Sequence, residues 1–496
     1  MGARLADVMA QSGVAFGTSG ARGLVTALDD RVVYAVTRAF LELLEARGEL
    51  GARALAVAGD LRPSTPRIVE AVGRAALDLG FELLPCGRIP TPALACWAFA
   101  RGAPAIMVTG SHIPDDRNGL KLNTPTGELT KRDELAMQER LVELPTAAEL
   151  AAGPRLPPKS ALPAAEDAYE QRYLRALGEG ALLGLRVAVY GHSAVGRDSL
   201  AWLLEELGAT VVRVGWSDRF VPVDTEAVRP EDAALALEVA QAERVAAIVS
   251  TDGDGDRPLV FDEAGSLVRG DVLGLLTAGL VGARALAVPL TCTTAIERTG
   301  RFSVRRTRIG SPFVIEAMLA LAREAEPAVG FEANGGFLTA SPVRLGAGTL
   351  GPLPTRDALL PMLAVLEACA RGTPLSSQVA GLPERHTWSD RVPDVPARES
   401  RAFLSALAEG GGPAFEALVG PRLGPVRELS TQDGVRATFA SGDVVHFRAS
   451  GNAPEIRYYV EAADRAGREA LSGLASAALR ARFGDGADRA KVGETP

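Results

Sequence analysis

The chain has 496 residues, 47% of them hydrophobic and 23% charged, an ordinary globular balance that excludes a disordered or fibrous chain and leaves room for about three to four domains. A net charge of −8, 5% aromatic residues and a pI near 5.4 lack both the basic surplus of a constitutive nucleic-acid binder and the stacking platforms of a single-strand binder. A local basic pocket for an anionic small molecule is compatible with these values. Four cysteines (Cys86, Cys96, Cys292, Cys369) are too scattered for a disulfide framework or a zinc site and are expected to be reduced core residues. The four histidines (His112, His192, His386, His446) show no metal-ligand spacing.

In chain order, the N-terminal stretch lacks the apolar run of a signal peptide, and Ala6 breaks the myristoylation pattern that Gly2 opens. Residues 53–59 form a short apolar strand, followed by the turn Asp60-Leu61-Arg62-Pro63-Ser64 and a helix over 65–80. Residues 104–108 are a second strand. The four prolines of 151–165 mark a linker. Beyond it come strands at 186–190, 210–214 and 245–249 and a helix at 197–208. Val272–Leu290 is apolar enough to suggest a membrane span, but Arg284 lies inside it and Pro289 near its end. It reads instead as a buried helix, a glycine turn and a buried strand. A third unit follows, with strands at 284–288 and 327–331 and a helix at 311–324. After 375 the composition changes: 396–410 reads as helix, and 434–448 as a β-hairpin turning at Ser441-Gly442-Asp443. The fold class is therefore α/β: three similar mixed α/β domains (1–155, 165–268, 269–375) and a smaller C-terminal α+β domain (380–496), expected to surround a central cleft.

Three times an apolar strand runs into a polar loop: PAIMV into TGSHIPDDRNG, VAAIV into STDGDGDR, and PAVGF into EANGG. Open α/β sheets bind ligands beyond the carboxyl ends of their strands, so the three loops are expected to share one site. In Asp252-Gly253-Asp254-Gly255-Asp256-Arg257, alternating glycine lets three carboxylates fold inward as hard oxygen ligands for Mg²⁺, Mn²⁺ or Ca²⁺. An EF-hand is disfavoured, because Arg257 stands where that loop needs glycine and Pro258 follows. Arg257 beside the carboxylates points to an anionic substrate. In the loop from Thr109 to Lys121, Ser111 is expected to be an exposed nucleophile, with His112 and Lys121 available for proton transfer or charge neutralisation. A Ser111–His112 dyad is not expected, since adjacent residues rarely face each other. The stretch 187–199 resembles a hydrolase nucleophile elbow, but its second glycine, Gly196, comes one place late. From Arg448 to Arg457, an arginine fork, the Ser450 hydroxyl and glycine-freed backbone form a candidate phosphate cradle.

Together these loops resemble those of the α-D-phosphohexomutase family, on its bacterial phosphomannomutase branch, over nearly the whole chain from Phe16 to about Glu461. The resemblance implies that Ser111 is the phosphorylated serine and that Asp252, Asp254 and Asp256, with a Ser111 phosphate oxygen, hold Mg²⁺. It further implies that Glu332 and Asn334 read sugar hydroxyls and that Arg448, Ser450, Gly451 and Asn452 bind phosphate. The stretch from Phe16 to Gly23 resembles the family's N-terminal signature, whose arginine, here Arg22, faces the phosphoserine. Arg257, Gly310 and Arg457 complete the implied substrate contacts. Three departures bear on the sugar: Asn334 where many relatives have serine, Gly336 where they have histidine, and Ser311 where some have histidine or aspartate.

The implied activity interconverts hexose 6-phosphate and hexose 1-phosphate through phosphoserine and a hexose 1,6-bisphosphate, which also serves as activator. Ser111, Lys121, His112 and Arg22 are the catalytic set, with Lys121 as acid and base ahead of His112. Mannose phosphate is the expected sugar, with glucose or glucosamine phosphate as alternatives within the family. An α/β-hydrolase and a non-catalytic sugar-phosphate binding protein are the readings outside it. The protein is expected to be cytoplasmic and a monomer or homodimer, with no nucleic-acid or membrane partner.

Overall fold

The computed structural model describes residues 2–17, 19–152, 163–419, 423–450 and 454–484. Most of the linker expected over 151–165 lies outside these. Strand Ala54–Gly59 is buried at all six positions, as its unbroken apolar run requires of a strand with both faces covered. It pairs in parallel with Glu82–Gly87 and Ala105–Val108. The sheet then turns antiparallel through Arg117–Thr124, Ala21–Leu24 and Ala15–Phe16. Helix Asp30–Arg47 begins where the Asp29 side chain accepts the Val32 N–H at 2.8 Å, a cap worth about 1 kcal/mol. Its buried face (Val33, Val36, Phe40, Leu44) joins Ile68, Val72 and Ala76 of helix Thr65–Asp78 in the first core.

The same plan recurs twice. Ala247–Thr251 lies parallel to Arg186–His192 and antiparallel to Pro258–Asp262. Ala328–Phe331 lies parallel to Ala285–Pro289 and antiparallel to Phe337–Thr339. In all three sheets the strand that carries a polar loop at its carboxyl end therefore sits where parallel pairing gives way to antiparallel. These three regions make up one body, residues 1–288, 302–305 and 310–379.

The second body comprises 380–496 with 289–301 and 306–309. Its sheet runs in the order His386–Val392, Ile456–Ala462, Val444–Ala449, Val435–Phe439, Val426–Ser430, antiparallel throughout. The hairpin expected at 434–448 forms. The helical reading of 396–410 extends to Ala397–Val419, interrupted at Gly411. Phe415, Phe439 and Phe447 pack in this body's core, with Phe415 and Phe447 stacked at 5.5 Å. The Val272–Leu290 segment is divided into helix Gly270–Leu280 and strand Ala285–Pro289. Among the described residues no helix is long and apolar enough to cross a membrane. All four cysteines are unbridged; Cys86, Cys292 and Cys369 are buried and Cys96 is partly so.

Candidate active site

The loop after Ala105–Val108 is held from below. Thr109 Oγ1 donates to Asp60 Oδ2 at 2.7 Å and accepts the Ser111 N–H at 2.7 Å. The buried Arg62 guanidinium donates from Nη2 to the carbonyls of Ser111 and Ile113 at 2.8 and 2.6 Å, with Nε 3.2 Å from Asp60 Oδ2. This network holds Ser111 at φ +58°, a left-handed conformation that costs a non-glycine residue roughly 1–2 kcal/mol. Ser111 is 0% exposed, not the exposed residue expected from its loop, because the aspartate loop closes over it. A Cβ on Gly253 would lie 2.8 Å from the Ser111 carbonyl oxygen, so glycine there permits the approach.

Asp252, Asp254 and Asp256 are each 0% exposed, and one oxygen from each falls within 4.8 Å of the others. Ser111 Oγ donates to Asp252 Oδ2 at 2.5 Å. Lys121 Nζ lies 2.5 Å from both Asp254 Oδ2 and Asp256 Oδ2, and Thr91 Oγ1 donates to Asp254 Oδ2 at 2.6 Å. Burial, then the charges of Asp254 and Asp256, pushes the Asp252 carboxyl well above the usual carboxylate range. Burial alone would raise Asp254 too, but Lys121 and the Thr91 hydroxyl outweigh it and hold that carboxyl well below the range. Asp254 Oδ1 and Asp256 Oδ1 are buried with no hydrogen-bond partner. Three converging carboxylates with two such oxygens suit a hard divalent cation and would repel one another without one.

An imidazole adjoins Ser111, and guanidiniums lie behind it. His112 Nδ1 lies 3.3 Å from Ser111 Oγ and 3.0 Å from Arg257 Nη1. The left-handed turn at Ser111 thus brings the two adjacent side chains together, contrary to the expectation that they would point apart. A guanidinium can only donate, so His112 Nδ1 is an acceptor. Burial, then Arg257 and Arg22, pushes His112 down to about 2, leaving the imidazole neutral. Burial, then Arg257, lowers Arg22 to about 10, and its Nε is buried without a hydrogen-bond partner. A phosphate dianion here would relieve the crowding of like charges.

The third loop follows Ala328–Phe331. Glu332, 4% exposed, accepts from Arg356 Nη1 at 3.3 Å. Asn334 Oδ1 accepts the Gly336 N–H at 3.0 Å. Gly310, at φ +128°, precedes helix Ser311–Leu321, and Ser311 Oγ donates to Glu128 Oε2 at 2.6 Å. The structure thus brings Arg22, Ser111, His112, Lys121, Asp252, Asp254, Asp256 and Arg257 into one connected cluster, joined to Glu332 through Arg356.

The fourth loop belongs to the second body. Arg448 and Arg457 face each other in register on adjacent strands. Arg448 Nε donates to Asp433 Oδ1 at 2.8 Å and Arg457 Nε to Glu455 Oε1 at 2.7 Å. The Ser450 N–H donates to the Glu455 carbonyl at 3.0 Å. Gly451 and Asn452 lie outside the described residues.

Family models for α/β/α domains I, II and III of phosphoglucomutase/phosphomannomutase match residues 13–144, 171–265 and 274–386. The chain belongs to the phosphoglucomutase/phosphomannomutase family. A phosphomannomutase of Salmonella muenchen is 41% identical over 92% of this chain and 93% of its own length. One from Sinorhizobium fredii is 41% identical over 91% and 96%. The crystal structure of a phosphoglucomutase/phosphomannomutase family protein from Burkholderia thailandensis shares the fold, with a TM-score of 0.71 at 20% identity over 94% of this chain and 97% of that one. This phosphohexomutase is thus an enzyme of the isomerase and phosphotransferase class.

Several side chains at the phosphohexomutase site escape a reading of the sequence. Thr91 and Arg356 belong to no motif read above and meet the site only through the fold, and Thr109, which opens the serine loop, carries no sequence signal for its bond to Asp60. Asp60 and Arg62 carry a usable signal, a charged pair just past the carboxyl end of a buried strand. The decoy at Gly191-His192-Ser193 is structural: Ser193 Oγ accepts the Val221 N–H at 2.7 Å, and His192 Nε2 meets the Thr251 carbonyl at 2.8 Å.

Proposed function

We propose that this enzyme interconverts mannose 6-phosphate and mannose 1-phosphate by way of a phosphorylated Ser111 and a 1,6-bisphosphate. The observation that carries the reading is Ser111 Oγ lying 2.5 Å from Asp252, one of three clustered buried carboxylates, with His112 beside it and Arg257 and Lys121 bonded to its neighbours. The name shared by the two relatives at 41% identity favours mannose. Each domain contributes one loop: 1–155 the serine, 165–268 the aspartates, 269–375 the sugar loop and 380–496 the phosphate loop.

Asp252, Asp254 and Asp256, with Ser111, would hold Mg²⁺, which supplies charge neutralisation at the transferring phosphoryl group. Arg22 and Arg257 offset the remaining phosphate charge. When a sugar hydroxyl attacks the phosphoserine, the P–Oγ bond breaks and a P–O(sugar) bond forms. The hydroxyl proton passes to the neutral imidazole of His112, and the Lys121 ammonium gives a proton to the departing Ser111 Oγ, so that one proton is taken up and one released in each half-reaction. The bisphosphate then presents its other phosphate to Ser111 and reverses the step. Glu332 and Asn334, with Gly310, bind the sugar. Arg448, Ser450, Gly451, Asn452 and Arg457 bind the phosphate that is not reacting. The four unbridged thiols suit a reducing compartment, so the proposed location is the cytoplasm.

The test is a coupled mutase assay on mannose, glucose and glucosamine phosphates with Mg²⁺ and catalytic bisphosphate, together with intact mass of the protein. Turnover of mannose phosphate at least equal to that of glucose phosphate, with one phosphoryl group on Ser111, is the expected result. A strong preference for glucosamine phosphate would overturn the choice of sugar, and no turnover of any hexose phosphate would overturn the reading itself.

A further inference from the structure

Arg356 lies at the end of strand Leu353–Asp357, outside every motif, yet three functional loops meet on its buried guanidinium. Nη2 is 3.0 Å from Asp256 Oδ2 and donates to Ser19 Oγ at 3.2 Å. Nη1 donates to Glu332 Oε2 at 3.3 Å, and Nε lies 3.8 Å from Glu128 Oε1. The strand end is itself anchored, since Asp357 accepts from the hydroxyls of Tyr169 and Tyr173. The side-chain stem crosses directly above Gly336, where a Cβ would come within 2.8 Å of Arg356 Cγ and Cδ. Any side chain at 336 would therefore displace the arginine from this path.

We propose that Arg356 is a positioning residue that locks the Glu332 carboxylate to the aspartate loop, so that sugar recognition and metal binding share one rigid frame. This rests on the mutase reading above. The terminal torsion of a glutamate is broad, so a carboxylate held at no oxygen presents no defined acceptor to a sugar hydroxyl. With Oε2 turned onto Arg356, Oε1 is the oxygen left to read the sugar. A planar fork with separate Nη groups meets Glu332 on one side and Asp256 and Ser19 on the other, a geometry that the point charge of a lysine does not reproduce.

The experiment is a double-mutant cycle on the full-length enzyme between Arg356→Met and Glu332→Gln, with KM and kcat for mannose phosphate determined separately. Loss of a charge-assisted contact should lower kcat/KM by about 10- to 150-fold in each single variant, carried mainly by KM. The double variant should fall within about 3-fold of the worse single one. Arg356→Lys, which keeps the charge and gives up the fork, is the second variant should Arg356→Met fail to fold. It should lose less than Arg356→Met, and that loss should vanish on the Glu332→Gln background. Losses that multiply, or a fall in kcat with KM unchanged, would overturn the proposal while the wild type's activity leaves the mutase reading standing. A wild type inactive on every hexose phosphate would instead remove the reading on which the proposal rests.

Discussion

Thr109→Val tests whether the conformation of Ser111 is imposed from below. Valine matches the shape of threonine but removes the one oxygen that both donates to Asp60 and accepts the Ser111 N–H. Asp60 keeps the Thr65 hydroxyl at 2.8 Å and the Arg62 N–H at 3.1 Å, so its loss sits at the low end, about 1 to 1.5 kcal/mol. The Ser111 N–H is left buried without that acceptor, which costs a further 1 to 3 kcal/mol or so. The sum is about 3 kcal/mol, or roughly 6 to 12 °C in the melting of a domain of 150 residues or more. Activity should fall further than stability accounts for, because a displacement of about 1 Å at a reacting group can cost on the order of 100-fold. Calorimetry, phosphoserine yield by intact mass, and kcat would be measured together at a temperature where the variant is folded. Thr109→Ser, which restores the oxygen, should recover most of both losses. A Thr109→Val enzyme that melts within about 1 °C of wild type and phosphorylates normally would show that Ser111 does not depend on this network.

Ser111→Ala should abolish mutase turnover while leaving the circular dichroism spectrum unchanged; a loss smaller than about tenfold, or roughly 1.4 kcal/mol of barrier, would end the phosphoserine role. Asp254→Asn should remove divalent-metal dependence together with activity, and full turnover in EDTA with no metal by elemental analysis would refute the site. Arg448→Ala should lower kcat/KM by about 10- to 150-fold for both 1-phosphate and 6-phosphate substrates without changing metal affinity; a loss confined to one substrate orientation counts against a phosphate cradle. Acid should destabilise both bodies through His192 and His446, each pushed down from 6.5 to about 4, chiefly by burial. Each Nε2 faces a backbone carbonyl and each Nδ1 is buried without a partner, so the native state resists the second proton. Between pH 6.5 and 4 the unfolded chain binds more protons than the native one, so stability is full above 6.5, falls as pH drops through this window by up to about 3 kcal/mol per histidine, and levels off below it. The melting temperature of His446→Gln should depend on pH less steeply than that of wild type.

What was legible in the sequence follows from what each feature depends on. The strands and their loops could be read because a buried parallel strand needs an unbroken apolar run, and such runs stop abruptly at Thr109, Ser250 and Glu332. The aspartate loop could be read because alternating carboxylates and glycines are costly to bury for any purpose other than a cation. Ser111 could be placed at the site but its burial could not, since that depends on the approach of Gly253, far along the chain. The proximity of His112 to Ser111 was likewise hidden, because it follows from a single dihedral angle at Ser111 that Asp60, Arg62 and Thr109 together impose.

Arg356 marks the other limit of the sequence. An arginine on a strand has no local pattern to announce its purpose, and its partners Asp256, Ser19 and Glu332 come from three separate loops. Yet the departure at Gly336 was visible from the start, and the fold gives it a physical meaning. With no side chain at 336, the path is open for Arg356 to cross the sugar loop and reach Asp256. The absent side chain and the arginine are then one feature, not two. Restoring a side chain at 336 should therefore resemble removing the arginine: Gly336→Ala is expected to raise KM for mannose phosphate and to abolish the coupling between positions 332 and 356. A Gly336→Ala enzyme with wild-type KM and the coupling intact would show that the arginine reaches Glu332 without needing that open path.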